Sequence, residues 1–281
     1  MINFNGDILA NESKFLNHNN RGLRYGDGLF ETLKVVNAKI LFWEDHYFRL
    51  MSSMRILRMD IPMEFTLEFL EKEIISLIKT NQLESTTARV RLNVFRDAAG
   101  YYLPENNDVS YVIEAVEIEN PFYVIDESPY EVELFKDYYV EPGLLSTLKS
   151  NNRIINVVGS IYASENEYDN CLLVNNNKNV VEALNGNVFL VKGNVIKTPP
   201  ITDGCLNGIM RKQLMNVLES VEEYELKEES ISPFELQKAD ELFITNVITG
   251  IRPITKYRKK QFEINVAKKI IGKLNVKVRL S

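Results

Sequence analysis

Cysteine, histidine and tryptophan are all scarce in this 281-residue chain, which has two, two and one of them respectively. Cys171 and Cys205 cannot build a disulfide framework and have no metal-ligand spacing, which fits a reducing compartment. His18 and His46 have no second His, Cys or paired acid at ligand spacing, so no metal centre is expected. No nucleophile-elbow motif supports a Ser-His-Asp triad either. Positive charge is also in deficit: 33 Lys and Arg stand against 39 Asp and Glu, giving a net charge of −6. That balance excludes a global field for nucleic acid or anionic lipid, and the short basic cluster at 256–260 is read as a solvated face. No apolar run approaches the roughly 20 residues of a bilayer span, and Met1–Asp7 lacks the pattern of a signal peptide. The expectation is a cytoplasmic protein acting on a small molecule, with neither membrane nor nucleic acid as partner.

What is present is a mixed pattern of helix and strand periods. With 45% hydrophobic residues, the chain can bury one large core or two smaller ones. Tyr47, Leu50, Met51, Met54 and Leu57 share one helix face behind Glu44 and Asp45, and Leu67, Leu70, Ile74, Leu77 and Ile78 share another. The runs Ala88–Phe95 and Ser110–Glu117 alternate at strand period. Residues 118–128 break both periods around Pro121 and form the candidate linker. Beyond it, Tyr130–Phe135, Cys171–Val174 and Val188–Val191 read as strands. A helix is expected from Asn152 to about Glu167, with Ile154, Ile155, Val158 and Ile161 inward. Ser232-Pro233-Phe234-Glu235 reads as a capping box with Pro at the first helical position. The expectation is α+β, in two domains, 1–120 and 121–281.

The most distinctive stretch is Arg21-Gly22-Leu23-Arg24-Tyr25-Gly26-Asp27-Gly28-Leu29-Phe30-Glu31, a Gly-rich turn delivering the chain into an alternating strand. It resembles the N-terminal signature of the class IV aminotransferases, the pyridoxal-phosphate enzymes of fold type IV. That resemblance runs from about residue 2 to residue 255 and implies a two-domain fold with the cofactor in the cleft between the domains. It also implies a homodimer in which a partner loop closes the site.

Under the resemblance, Lys149 becomes the Schiff-base lysine, although a lysine taken alone is ordinarily a solvated charge. The chemistry needs a primary amine that can leave the cofactor, become neutral and shuttle a proton at the substrate Cα. Glu182, in Val180-Val181-Glu182-Ala183-Leu184-Asn185-Gly186-Asn187-Val188-Phe189, matches the family carboxylate that contacts the pyridine nitrogen. In isolation it would be an exposed loop acid. Leu206-Asn207-Gly208-Ile209-Met210-Arg211 opens a helix whose N-terminal amides suit an anion. The resemblance places the amides of Ile209 and Met210 on the cofactor phosphate and Leu206 near the ring. The amides of Val247 and Ile248, in Thr245-Asn246-Val247-Ile248-Thr249-Gly250, fall on the same phosphate, as does Arg49. His46 is expected to pack as a helix residue beside the cofactor domain.

Three local features tilt the expected reaction towards 4-amino-4-deoxychorismate lyase. Lys149-Ser150-Asn151-Asn152-Arg153 resembles the lyase sequence, where branched-chain aminotransferases carry Gly-Asn-Tyr after the lysine. Asn207-Gly208-Ile209-Met210-Arg211 and Phe30-Glu31-Thr32 also look lyase-like. Arg96, in Phe95-Arg96-Asp97-Ala98-Ala99-Gly100, stands in a degenerate form of the lyase glycine loop and is the candidate for a substrate carboxylate, with Phe30 as a second substrate contact. The alternatives are an aminotransferase using the same Lys149 with branched-chain or other amino acids and, in a different class, a non-catalytic binding descendant. The intact set of Lys149, Glu182 and Arg49 argues against the last of these.

Overall fold

The computed structural model describes residues 1–280. It is α+β, in two units. One comprises Met1–Pro121 with Lys149–Asn152, and the other comprises Phe122–Leu148 with the chain from Arg153 onward. The short segment carrying Lys149 thus packs with the first unit, although the chain on either side of it belongs to the second.

The first unit is a six-stranded sheet. In chain order its elements are β1 (Ile2–Phe4), β2 (Asp7–Leu9), α1 (Arg21–Tyr25), β3 (Gly28–Val36), β4 (Lys39–Ile40), α2 (Trp43–Ile56), α3 (Leu67–Thr80), β5 (Thr87–Arg96) and β6 (Val109–Ile118). The strand order is β2-β1-β6-β5-β3-β4, antiparallel throughout. Strand alternation gives Leu29, Leu33, Val90, Leu92 and Val94 to one buried face, on which α2 packs against β3 and α3 against β6. Thr66 caps α3 by accepting from the Phe69 amide, and Leu70, Ile74, Leu77 and Ile78 are fully buried. The expected turn at 21–26 is instead one helical turn, capped by Asn20 and stopped by Gly26 at φ +62°. A residue in that left-handed region ends a helix, and glycine takes it without strain.

The second unit continues with β7 (Glu131–Val140), α4 (Ile154–Glu165), β8 (Asn170–Asn175), β9 (Val180–Ala183), β10 (Asn187–Lys192), β11 (Val195–Thr198), α5 (Ile209–Glu219), β12 (Glu225–Glu228), α6 (Pro233–Lys238), β13 (Glu241–Asn246), β14 (Gly250–Ile254), β15 (Lys256–Tyr257), β16 (Lys260–Gln261) and α7 (Asn265–Leu280). Two five-stranded sheets, β12-β11-β10-β13-β14 and β16-β15-β7-β8-β9, share one core that includes Val132, Leu134, Leu172, Val188, Leu242 and Ile254. Helix α6 carries the capping box of Ser232 and Glu235.

Helix α4 departs from its expected orientation. Ile155, Val158, Gly159, Tyr162 and Ala163 face β7 and β8, while Ile154 and Ile161 are 69% and 51% exposed and Val157 joins them. The helix is apolar on more than one face, so periodicity alone does not choose between them. Gly159 decides it, because a Cβ there would meet Leu184 Cδ2 at 2.5 Å. Only that face approaches the sheet closely.

Candidate active site

Lys149 is carried on a segment built into the edge of β3. The Phe30 amide donates to Lys149 O at 2.8 Å and the Asn151 amide to Gly28 O at 2.9 Å, closing an antiparallel bridge between Leu29 and Ser150. Asn151 and Asn93 pair their side-chain amides reciprocally at 3.2 Å, and Asn152 donates to Gly26 O at 3.4 Å. The two signature glycines make room for these asparagines. A Cβ at Gly28 would lie 2.5 Å from Asn151 Nδ2, and one at Gly26 would strike Asn152. Two motifs more than a hundred residues apart therefore interlock at the lysine.

The Lys149 ammonium lies over the Phe30 ring, 4.5 Å from its centroid, and the Arg91 guanidinium lies over the same ring at 4.0 Å. Cation–π contact of this kind orients a charge without neutralising it. Burial pulls the Arg91 pKa below its ordinary value, opposed by Glu114. Lys34, further along the same side of β3, is buried, and its pKa is lowered by desolvation to about 8.

On the opposite face of β3, Glu31 takes Arg49 Nε on Oε1 at 2.8 Å and Arg49 Nη2 on Oε2 at 2.5 Å. His46 Nδ1 stands 2.7 Å from Oε2. Burial pushes the Glu31 carboxyl up, but Arg49 and the His46 hydrogen bond outweigh it and hold it at about 2. Burial lowers the His46 pKa despite Glu31, so the imidazole is neutral at pH 7 with its proton on Nδ1. Its Nε2 is buried and has no protein partner. His46 is therefore part of an ion cluster, beyond the packing role expected for it.

Arg96 sits elsewhere. It is 5% exposed, and its guanidinium donates to Asp27 Oδ2, to the carbonyls of Leu57 and Arg58 and to Asn107. Asp27 also receives Arg21 Nε at 2.9 Å, and Arg21 in turn clamps the carbonyls of Gly100, Tyr101 and Tyr102. Arg96 and the signature residues Arg21 and Asp27 thus pin the 97–108 loop. The guanidinium that shares the Phe30 ring with Lys149 is Arg91, at the position opposite Thr32. Strand register could have indicated it, since Arg91 and Asn93 share a face.

In the second unit, Glu182 lies on β9 and is 6% exposed. Its Oε2 accepts the Leu206 amide at 2.9 Å, while Asn187 Nδ2 donates to Leu206 O at 2.8 Å. The Leu206 peptide is thereby held on both sides. Ile209 and Met210 open α5, whose first turn receives no side-chain cap. In the other loop, the Ile248 amide donates to Asn246 Oδ1 at 3.0 Å, as does that of Thr249 at 2.9 Å. The expected phosphate donor Ile248 is therefore engaged in an Asx turn in this conformation. The Val247 carbonyl accepts from Tyr123 Oη at 2.8 Å, a contact absent from the sequence reading.

Taken unit by unit, the first offers the Lys149 amine and the Arg49 guanidinium, and the second offers the buried Glu182 carboxylate and the uncapped start of α5; each group suits one part of a phosphorylated pyridine aldehyde. Among the described residues, five buried side-chain polar atoms lack a protein partner; two of them, His46 Nε2 and Thr245 Oγ1, belong to the Glu31 cluster and to the start of the 245–250 loop. Among the described residues, no group of three or more His, Cys, Asp and Glu is placed to hold a metal ion. Among the same residues, no helix is long and apolar enough to cross a membrane.

The architecture is that of known pyridoxal-phosphate folds. A putative 4-amino-4-deoxychorismate lyase from Legionella pneumophila superposes with a TM-score of 0.84 at 25% identity, over 95% of this chain and 96% of that one. The family description "Amino-transferase class IV" matches residues 28–257. The chain belongs to this enzyme family. A putative branched-chain-amino-acid aminotransferase of Methanocaldococcus jannaschii is 27% identical to it, covering 99% of this chain and 93% of that protein. A D-alanine aminotransferase of Staphylococcus epidermidis is 26% identical, covering 90% and 87%.

Proposed function

We propose that this protein is a pyridoxal 5'-phosphate enzyme acting at the Cα of an amino substrate through Lys149, and that its reaction is that of 4-amino-4-deoxychorismate lyase. Pyruvate would be released and 4-aminobenzoate left for the folate pathway. The observation that carries this reading is the seating of Lys149: within the lyase-like Lys149–Arg153 sequence, Asn151 binds Gly28 of the signature strand through its amide and Asn93 of β5 through its side chain, and Asn152 binds Gly26 of the signature turn. When bound, the cofactor supplies a protonated pyridine ring that accepts the electron pair from Cα. Glu182 holds that ring nitrogen protonated, and the Leu206 amide fixes the Glu182 carboxylate. Arg49 and the amides of Ile209, Met210 and Val247 hold the phosphate. Lys149, over Phe30, takes and returns the Cα proton, and Arg91 rather than Arg96 receives a substrate carboxylate.

The aminotransferase reading has specific support in the relatives named above, and the same Lys149 would then deliver the proton to the cofactor carbon. We read the protein as a cytoplasmic homodimer, a state that would cover the exposed Ile154, Val157 and Ile161 of α4. Purified protein should be yellow, and borohydride should attach the cofactor to the peptide containing Lys149. A colourless protein with no affinity for pyridoxal phosphate would overturn the reading. Offered 4-amino-4-deoxychorismate, the enzyme should release pyruvate. Glutamate formation from leucine, valine or D-alanine with 2-oxoglutarate, without pyruvate release from the first substrate, would assign it to the aminotransferases.

A further inference from the structure

We propose that Glu31 is a positioning residue for the cofactor phosphate, acting through Arg49 and His46; this rests on the phosphate-binding reading of Arg49. The strand explains why its placement is unusual. Glu31 falls in the row Leu29, Leu33, Val35, all buried under the helices. An acid in such a row is costly unless it is fully paired, and apolar residues of similar volume generally pack there at least as well. One carboxylate nevertheless binds two α2 side chains, three positions apart on the same helix face.

Two features separate this cluster from an ordinary buried ion pair. First, it is left open. Glu31 fixes the His46 tautomer by taking Nδ1–H at 2.7 Å, which leaves Nε2 as a buried acceptor with no protein partner. Second, Glu31 grips the Nε–Nη2 edge of Arg49 at 2.8 and 2.5 Å. That grip sets the plane of the guanidinium and turns its Nη1 side away from the carboxylate. A planar fork held at two points presents directed N–H groups to a phosphate. With Glu31 ionised, Arg49 charged and His46 neutral, the cluster carries no net charge. Orientation, and not a positive field, is then what it offers an anion.

This yields a sign that a field-based account gets wrong. Glu31→Gln makes the cluster one charge more positive, so simple attraction predicts tighter phosphate binding, whereas loss of orientation predicts weaker binding. The experiment strips the holoenzyme of cofactor and titrates wild type, Glu31→Gln, Arg49→Lys and the double variant with pyridoxal 5'-phosphate and with pyridoxal, following absorbance. Pyridoxal lacks only the phosphate, so its binding also reports that each variant is folded. The expected result is a preference for the phosphorylated ligand at least about tenfold lower in Glu31→Gln. Arg49→Lys should lose at least as much, and the double variant no more than the worse single one, as coupling through one guanidinium requires. Glu31→Asp, which keeps the charge but shortens the reach, should also lose preference. An unchanged or raised preference in Glu31→Gln while Arg49→Lys loses it would overturn the role of Glu31 and leave that of Arg49 standing. An equal loss of both ligands in Glu31→Gln would make Glu31 merely structural. An unchanged preference in Arg49→Lys would overturn the phosphate reading of Arg49 and this inference with it.

Discussion

Phe30 and Glu31 are neighbours in sequence and lie on opposite faces of one strand. On the Phe30 side, Lys149 and Arg91 both rest on one aromatic ring. On the Glu31 side, one buried carboxylate is shared by Arg49 and His46 beneath α2. The first arrangement seats a lysine by its contact with a ring. The second fixes a guanidinium and an imidazole through one shared carboxylate. Strand alternation places the ring that seats Lys149 and the carboxylate that holds Arg49 at adjacent residues.

The sharpest way to break this contrast is Lys149→Ala. Turnover should fall by at least about a thousandfold and borohydride labelling should vanish, while the melting temperature stays near wild type; activity at the wild-type level would refute the role of Lys149. Next comes acid sensitivity on the Glu31 side. The folded pKa of about 2 lies below the carboxylate reference of 4.5, so this contribution to stability is fully present above pH 4.5. It is lost as the pH falls from there towards 2, and its size is about 3 kcal/mol. Urea unfolding of wild type and Glu31→Gln at a series of pH values should show their difference shrinking over that window. A difference independent of pH would show that Glu31 is not the linked group.

Asn151→Ala removes the reciprocal amide pair with Asn93 and should cost about 1 kcal/mol of stability. Because that pair seats the lysine, kcat should fall more than the stability loss explains, as measured by steady-state kinetics at a temperature well below the melt. The smallest effect is expected from Phe30→Leu. Losing the ring under two cations is worth about 1 kcal/mol and should raise KM with little change in melting temperature. A change in stability without any change in KM would move Phe30 from the site to the scaffold.

The helix faces of α2 and α3, the alternation of β5 and β6 and the capping box of α6 were legible from local pattern, because each depends on residues within a few positions of one another. Lys149 and Glu182 were recognisable as candidates from their sequence contexts. Arg96 illustrates where such reading stops. Its motif position suggested a substrate contact, but Asp27, Leu57, Arg58 and Asn107 already engage it, and those partners are set by how distant segments meet. Ile154 and Ile161 make the same point for α4. An apolar stripe on each of two faces gives periodicity nothing to choose by, and a single glycine at 159 decides which side meets the sheet.

The amino-acid sequence by itself determined the main helices and strands and the family, and marked Lys149 as the candidate amine, since these follow from local spacing and residue type. Only the tertiary structure decided what the signature glycines are for. They clear space for Asn151 and Asn152, which arrive from more than a hundred residues away, and no local rule connects the two. It likewise decided that Glu31 belongs to Arg49 and His46. Alternation states that Phe30 and Glu31 face opposite ways, but the packing of α2 supplies the guanidinium and imidazole that make a buried carboxylate affordable on that face.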